Sequence, residues 1–128
     1  TLDRSSAASD VYKRQPMDRV RWQKHTVVLT NRRSYSATND FVNRMKQLDR
    51  VTVIGDKTGG GSGLPFSSEL PNGWSVRFSA SPMYDPDMKH LEFGIKPDKK
   101  VDITSEDYNK GIDTIIEAAR EYLHNHKQ

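Results

Sequence analysis

Two short apolar runs, Thr26-Val27-Val28-Leu29-Thr30 and Arg50-Val51-Thr52-Val53-Ile54-Gly55, enclose a stretch whose apolar residues change spacing. Ala37, Phe41, Met45 and Leu48 recur at intervals of three and four, which is the stripe of a helix. A strand, a helix and a second strand joined by short connections fold as a parallel pair with a right-handed crossover. That unit restricts the chain to the α/β class. The first run is short, apolar and β-branched, which predicts a strand buried on both faces.

The break between strand and helix, Asn31-Arg32-Arg33-Ser34-Tyr35, leaves Ser36 at the helix N-terminus. Unpaired N–H groups and a partial positive charge gather there, so an anion forming beside Ser36 could be stabilised by the backbone. An attacking serine needs that environment. A serine in this place also serves as an N-cap, its hydroxyl accepting from an N–H two or three residues on. Both readings stay open on these residues alone.

The second strand runs into Asp56-Lys57-Thr58-Gly59-Gly60-Gly61-Ser62-Gly63. Loops that follow parallel strands lie at the carboxyl edge of the sheet, where open α/β sheets bind ligands, so this loop should neighbour Ser36. Gly55, Gly60 and Ser62 fit a phosphate-binding loop, but Gly61 stands at the lysine position and Pro65 with another strand follows instead of a helix. Nucleotide binding is therefore disfavoured. Consecutive glycines also form plain turns, or let another backbone come close, as a bound peptide strand would.

Phe66 to Leu70 and Trp74 to Ala80 read as a hairpin about Pro71-Asn72-Gly73, with Trp74, Val76 and Phe78 on a core-facing side. Gly94 and Pro97 mark a bend in Glu92-Phe93-Gly94-Ile95-Lys96-Pro97-Asp98, and Val101 with Ile103 suggests a short strand. Thr104 or Ser105 can cap an acidic first turn, and Ile112, Ile115, Ile116, Ala119 and Leu123 form the stripe of a last helix that frays from His124. Residues 1–15 lack periodicity and resemble translated adaptor sequence, so they are expected to be a non-native or disordered leader, with Val20 and Trp22 as anchors before the first strand. A hydrophobic fraction of 34% agrees with some unpacked chain.

No apolar run approaches the roughly eighteen residues of a membrane helix. With no cysteine, disulfides and thiolate metal sites are excluded, and neither a metal nor a cofactor is expected. The net charge of +3 is mild and forms no basic stripe with interleaved aromatics, which argues against nucleic acid as a partner.

Taken in order, Ser36-Ala37-Thr38-Asn39, Val53 to Gly61, Leu70-Pro71-Asn72-Gly73 and Glu92 to Asp98 resemble the tail-specific, or C-terminal-processing, serine peptidases of family S41. The likeness runs from about Thr26 to Leu123. It implies a crotonase-like or ClpP-like α/β fold of β-β-α units, with residues 16–128 as the C-terminal part of a catalytic domain. It also implies Ser36 as the nucleophile of a Ser-Ala-x-Glu pattern in which Asn39 replaces the glutamate. The processing branch of the family uses a lysine base in the glycine loop, where Gly61 stands here, and Lys57 is offset from that place. The chain thus resembles the tricorn-like branch, in which a histidine activates the serine and a glutamate, by position Glu92, helps hold the arrangement.

In that branch the histidine lies upstream, and His25, His90, His124 and His126 do not match it. The Ala37 amide can be one oxyanion donor, while the second would also come from upstream. Gly59, Gly60 and Gly61 are expected to receive a peptide or protein substrate. The resemblance implies a bacterial cell-envelope or periplasmic setting. The expected function is that of a serine endopeptidase fragment, inactive without the rest of its parent; the alternative is a non-catalytic peptide-binding or scaffold domain of the same fold.

Overall fold

A computed structural model describes residues 22–126, so the expected leader at 1–15 and the anchor Val20 lie outside the described residues. The other anchor, Trp22, is exposed, and its indole N–H donates to Thr26 Oγ1 at 3.0 Å.

Strand β1, Thr26–Thr30, pairs in parallel with β2, Val51–Gly55, in a register that sets Thr26 beside Val51 and Thr30 beside Gly55. Helix α1, Ala37–Met45, makes the crossover between them. After a hairpin of β3, Pro65–Glu69, and β4, Ser75–Ser79, the chain passes through a single 3-10 turn, Leu91–Phe93. It then returns to the sheet as β5, Lys99–Lys100, which lies parallel to β2 and completes the order β1-β2-β5. The returning strand is thus Lys99–Lys100 rather than the apolar pair Val101 and Ile103, and Ile103 is exposed.

Alternation along β2 separates two apolar layers. Val53 faces Val42 of α1 together with Leu91 and Ile95, with Val28 and Met83 packed around them. The opposite face carries Thr52 and Ile54, one pleat away, and there Tyr122 of α3, Thr114–Asn125, meets the Thr52 hydroxyl at 2.9 Å. Ile115 and Ala119 are the buried residues of α3, whereas Ile112, Ile116 and Leu123 of the expected stripe stay partly exposed. Two helices replace the single one expected at this end. Thr104 caps α2, Ser105–Asn109, by accepting from Asp107 N–H, Gly111 at φ +70° ends it, and Asp113 caps α3.

Three expectations about faces are corrected. Helix α1 buries Asn39 and Val42, not the stripe of Ala37, Phe41, Met45 and Leu48; Phe41 is 52% exposed. The physical reason is that its inner face is organised by an amide with hydrogen-bond partners, so the polar Asn39 marks the core side. Strand β1 is an edge of the described sheet and only half-buried along most of its length, not enclosed on both faces. The β3–β4 hairpin forms its own two-stranded sheet, and its supposed core side has no core among the described residues: Trp74 is 70% exposed and lies just before β4, and Phe78 meets Phe66 across the strands at 5.4 Å with both half in solvent. Only Val76 is partly sheltered. The turn is the three-residue kind, with Leu70 N–H donating to Trp74 O at 2.7 Å and Gly73 at φ +82°.

Candidate active site

At the end of β1 the chain is folded tightly on itself before α1 begins. Arg33 N–H donates to Asn31 Oδ1 at 2.8 Å and Ser34 N–H to Asn31 O at 2.9 Å, so Asn31 supplies an Asx-type turn. Tyr35 O then accepts from Thr38 N–H at 3.2 Å, with Ser36 at φ 57°, ψ −122°. Those angles belong to the first central residue of a type II′ turn, a place that glycine fills without strain and other residues fill at about 1–3 kcal/mol. Ser36 occupies the capping position of α1, yet its hydroxyl makes no capping hydrogen bond. The N-cap reading of this serine is therefore removed.

The strained conformation is held by the glycine loop. Ser36 N–H donates to Gly60 O at 2.8 Å, Gly59 N–H donates to Ser34 O at 3.0 Å, and Gly61 N–H donates to Glu92 O at 3.1 Å. The carbonyl of Gly60 and the amide of Gly61 are two sides of one peptide group, so a single rigid plane fixes the main chains of Ser36 and Glu92 relative to each other. Gly60 and Gly61 sit at φ +80° and +72° on either side of it. A Cβ on Gly60 would fall 1.9 Å from Glu92 O, and one on Gly61 would fall 2.0 Å from the Tyr35 ring. A Cβ on Gly59 would meet Arg32 O at 2.3 Å. The glycines thus admit the protein's own backbone and the Tyr35 ring.

Beneath this peptide lies a polar cluster that sequence reasoning missed. Asn39 is 0% exposed; its Nδ2 donates to Ser62 Oγ at 2.7 Å and to Leu91 O at 3.0 Å, while its Oδ1 accepts from Thr58 Oγ1 at 2.6 Å. Thr58 Oγ1 in turn accepts from Ile95 N–H at 2.6 Å, and Ser62 Oγ donates to the Asp40 carboxylate. No buried side-chain polar atom among the described residues lacks a partner. Helix α1, the glycine loop and the segment from Leu91 to Ile95 are cross-linked through one amide. The available signal was the two hydroxyl residues, Thr58 and Ser62, that bracket the three glycines, and an asparagine in the first turn of the helix.

Ser36 opens onto a crevice of about 470 Å³ that Gly61 and Glu92 also border. Tyr35 and Pro65 give it apolar walls, and Arg77, Phe78 and Ser79 border it from β4. The Glu92 carboxylate accepts from the Ser79 hydroxyl at 3.0 Å. The Ala37 amide has no acceptor among the described residues, whereas the Ser36 amide is already engaged. Of the expected site residues, then, Ser36, Glu92 and Gly61 share one crevice, and Gly59 and Gly60 support it from behind.

Lys57 and His90 lie elsewhere, around a separate cavity of about 480 Å³. There His90 Nδ1 accepts from Glu92 N–H at 3.1 Å. His25 and His126 are paired edge to face near the end of α3, with ring centres 5.9 Å apart. Among the described residues no histidine or lysine borders the Ser36 crevice. At the sheet edge Arg32 donates to the Asp56 carboxylate at 2.9 Å, and that bond, with a second from the Lys57 amide, holds the Asp56 carboxyl below its ordinary value. No group of histidine and acidic residues among the described ones could hold a metal ion, and no helix there is long and apolar enough to cross a membrane.

The same fold occurs in known proteins. A crystal structure of a protein from Parabacteroides merdae ATCC 43184, assigned as a peptidase, is 68% identical over 84% of this chain, with a TM-score of 0.80. This chain spans 34% of that protein, about a third of its length. Mature CPAF, at 22% identity, matches 88% of this chain and 23% of its own with a TM-score of 0.69. The tricorn protease, at 23% identity, matches 77% of this chain and 10% of its own with a TM-score of 0.66, and both likenesses concern the fold. No curated protein matches the chain. The α/β architecture expected from the sequence is the one these proteases share. The model of peptidase family S41 matches residues 1–101, and the chain belongs to that family.

Proposed function

We propose that the crevice is the nucleophile side of a serine endopeptidase site. The observation that carries this reading is Ser36 itself: a side-chain-bearing residue kept in a glycine conformation, with a hydroxyl that caps nothing and opens onto the crevice. The Ser36 oxygen attacks the carbonyl carbon of a bound peptide while its proton passes to a general base. The tetrahedral oxyanion is met by the Ala37 amide, which no group among the described residues engages. Collapse expels the amine and leaves an acyl group on Ser36, which water then removes. Glu92, steadied by Ser79, helps hold the arrangement. We assign the base, a histidine, and the second oxyanion donor to parts of the protein beyond the described residues. The substrate is a peptide or protein received as an added strand beside the glycine loop.

A fluorophosphonate tests the assignment in the intact protein that carries this chain. Labelling should vanish in Ser36→Ala, and equal labelling of both proteins would refute it. The isolated 128 residues should not hydrolyse peptides, since loss of the base removes several orders of magnitude of rate. A second reading, a non-catalytic peptide-binding domain, draws on the want of a base in the crevice among the described residues. Unaltered peptide binding with no cleavage in the intact protein would favour it.

A further inference from the structure

We propose that the open edge of β4 is the docking strand for the substrate, and that Arg77 on it selects peptides bearing a carboxylate close to the bond that Ser36 attacks. The inference rests on the catalytic reading above and deepens it. Its first ground is the hydrogen-bond alternation of the hairpin. Leu70 N–H donates to Trp74 O at the turn, so ladder bonds recur at every second pair, Ser68 with Val76 and Phe66 with Phe78. The intervening pairs, Ser67 with Arg77 and Pro65 with Ser79, turn their main-chain groups away from each other. Pro65 stands at one of these pairs, where its missing N–H costs the ladder nothing. The amides and carbonyls of Arg77 and Ser79 are therefore directed at the unpaired side of β4, and Arg77, Phe78 and Ser79 border the crevice in succession.

The second ground is charge. Arg77 and Ser79 lie on one face of β4, and Ser79 on that face binds Glu92. The carboxylate of Glu92 is thus engaged by a hydroxyl, while Arg77 has no carboxylate within 4.0 Å among the described residues. Arg77 borders the same crevice as the attacking serine, with Tyr35 and Pro65 as its apolar walls, and so fits a peptide that brings an apolar side chain and a carboxylate into the crevice together. The carboxylate can be an acidic side chain or the free end of the peptide.

The test uses the intact protein carrying Ser36→Ala, so that binding is read without turnover, and three fluorescent hexapeptides with the same apolar core. One has an internal glutamate and an amidated end, one a glutamine and a free terminal carboxylate, and one a glutamine and an amidated end. By anisotropy at least one carboxylate peptide should bind about tenfold tighter than the neutral one, and which of them does so identifies the source. Arg77→Gln should collapse the difference while leaving the neutral peptide unaffected, and Arg77→Lys should restore part of it. With Ser36 intact, Arg77→Gln should raise KM for the favoured peptide more than it lowers kcat. The proposal is overturned if all three peptides bind alike, if none binds, or if Arg77→Gln weakens all three equally. Persistent hydrolysis by the Ser36→Ala protein would instead undo the catalytic reading and leave a carboxylate preference standing.

Discussion

Replacing Ser36 by glycine should make the protein more stable while abolishing hydrolysis. At φ 57°, ψ −122° a side-chain-bearing residue holds about 1–3 kcal/mol of strain that glycine relieves. Against this, glycine loosens the unfolded chain by about 0.4–1 kcal/mol. The hydroxyl makes no capping bond, so removing it subtracts nothing else. The balance is a gain of about 1 kcal/mol, or a rise in Tm of about 4 °C. Ser36→Ala keeps the strain and should stay within about 0.5 kcal/mol of the parent. A capping serine behaves differently: alanine costs it about 1 kcal/mol and glycine a few tenths. Urea unfolding of the three proteins, with a peptide hydrolysis assay on each, separates the cases. A loss of about 1 kcal/mol in Ser36→Ala, with Ser36→Gly no more stable than the parent, would refute the strain argument.

Gly60→Ala should cost about 3 kcal/mol or more, because its Cβ would lie 1.9 Å from Glu92 O at φ +80°, whereas Gly73→Ala, at φ +82° with nothing within 4 Å, should cost about 1 kcal/mol by urea midpoint. Asn39→Ala should lose about 3 kcal/mol, since Thr58 Oγ1, Ser62 Oγ and Leu91 O would all be left short of a partner in the interior; a loss below 1 kcal/mol would show that water replaces the amide. Asp56 has its folded pKa below the unfolded 3.8 because Arg32 binds it, so its contribution to stability is complete above 3.8 and disappears as pH falls through the folded value. Arg32→Ala should accordingly begin acid unfolding at a higher pH in a titration followed by circular dichroism. An unchanged acid limb would show that the ion pair at this exposed edge contributes nothing.

Periodicity made β1, α1 and β2 legible because a parallel crossover leaves a distinct apolar rhythm, and it brought the glycine loop beside Ser36 before any coordinates were needed. It failed where polar groups do the packing. Counting apolar residues along α1 chose Phe41 and Leu48, which are exposed, and passed over Asn39, which is buried because an amide can satisfy three partners at once. The hairpin misled for another reason: alternation says that a strand has two unlike faces, and says nothing of whether a core lies under the apolar one. Ser36 was legible as a residue at a bend, yet its backbone angles could not be inferred, since a serine in a type II′ turn runs against local preference and is imposed by contacts from Gly60, twenty-four residues away.

That remote imposition explains why Gly60 and Gly61 stand together. The peptide joining Gly60 to Gly61 must present its carbonyl to Ser36 and its amide to Glu92, in opposite directions, while the loop turns back over Tyr35. Both residues consequently adopt positive φ, and the neighbouring backbone leaves no room for a Cβ at Gly60. A tilt of this one plane would move Ser36 and Glu92 together, because each is tied to a different side of it. Thr58 and Ser62, two residues before Gly60 and one after Gly61, are both held by Asn39, so the plane is clamped at its two approaches by the amide buried in the helix that Ser36 begins. The position of the hydroxyl and the order of the glycine loop are therefore one mechanical property, and a substitution at Asn39 should disturb the crevice even though its side chain never reaches it.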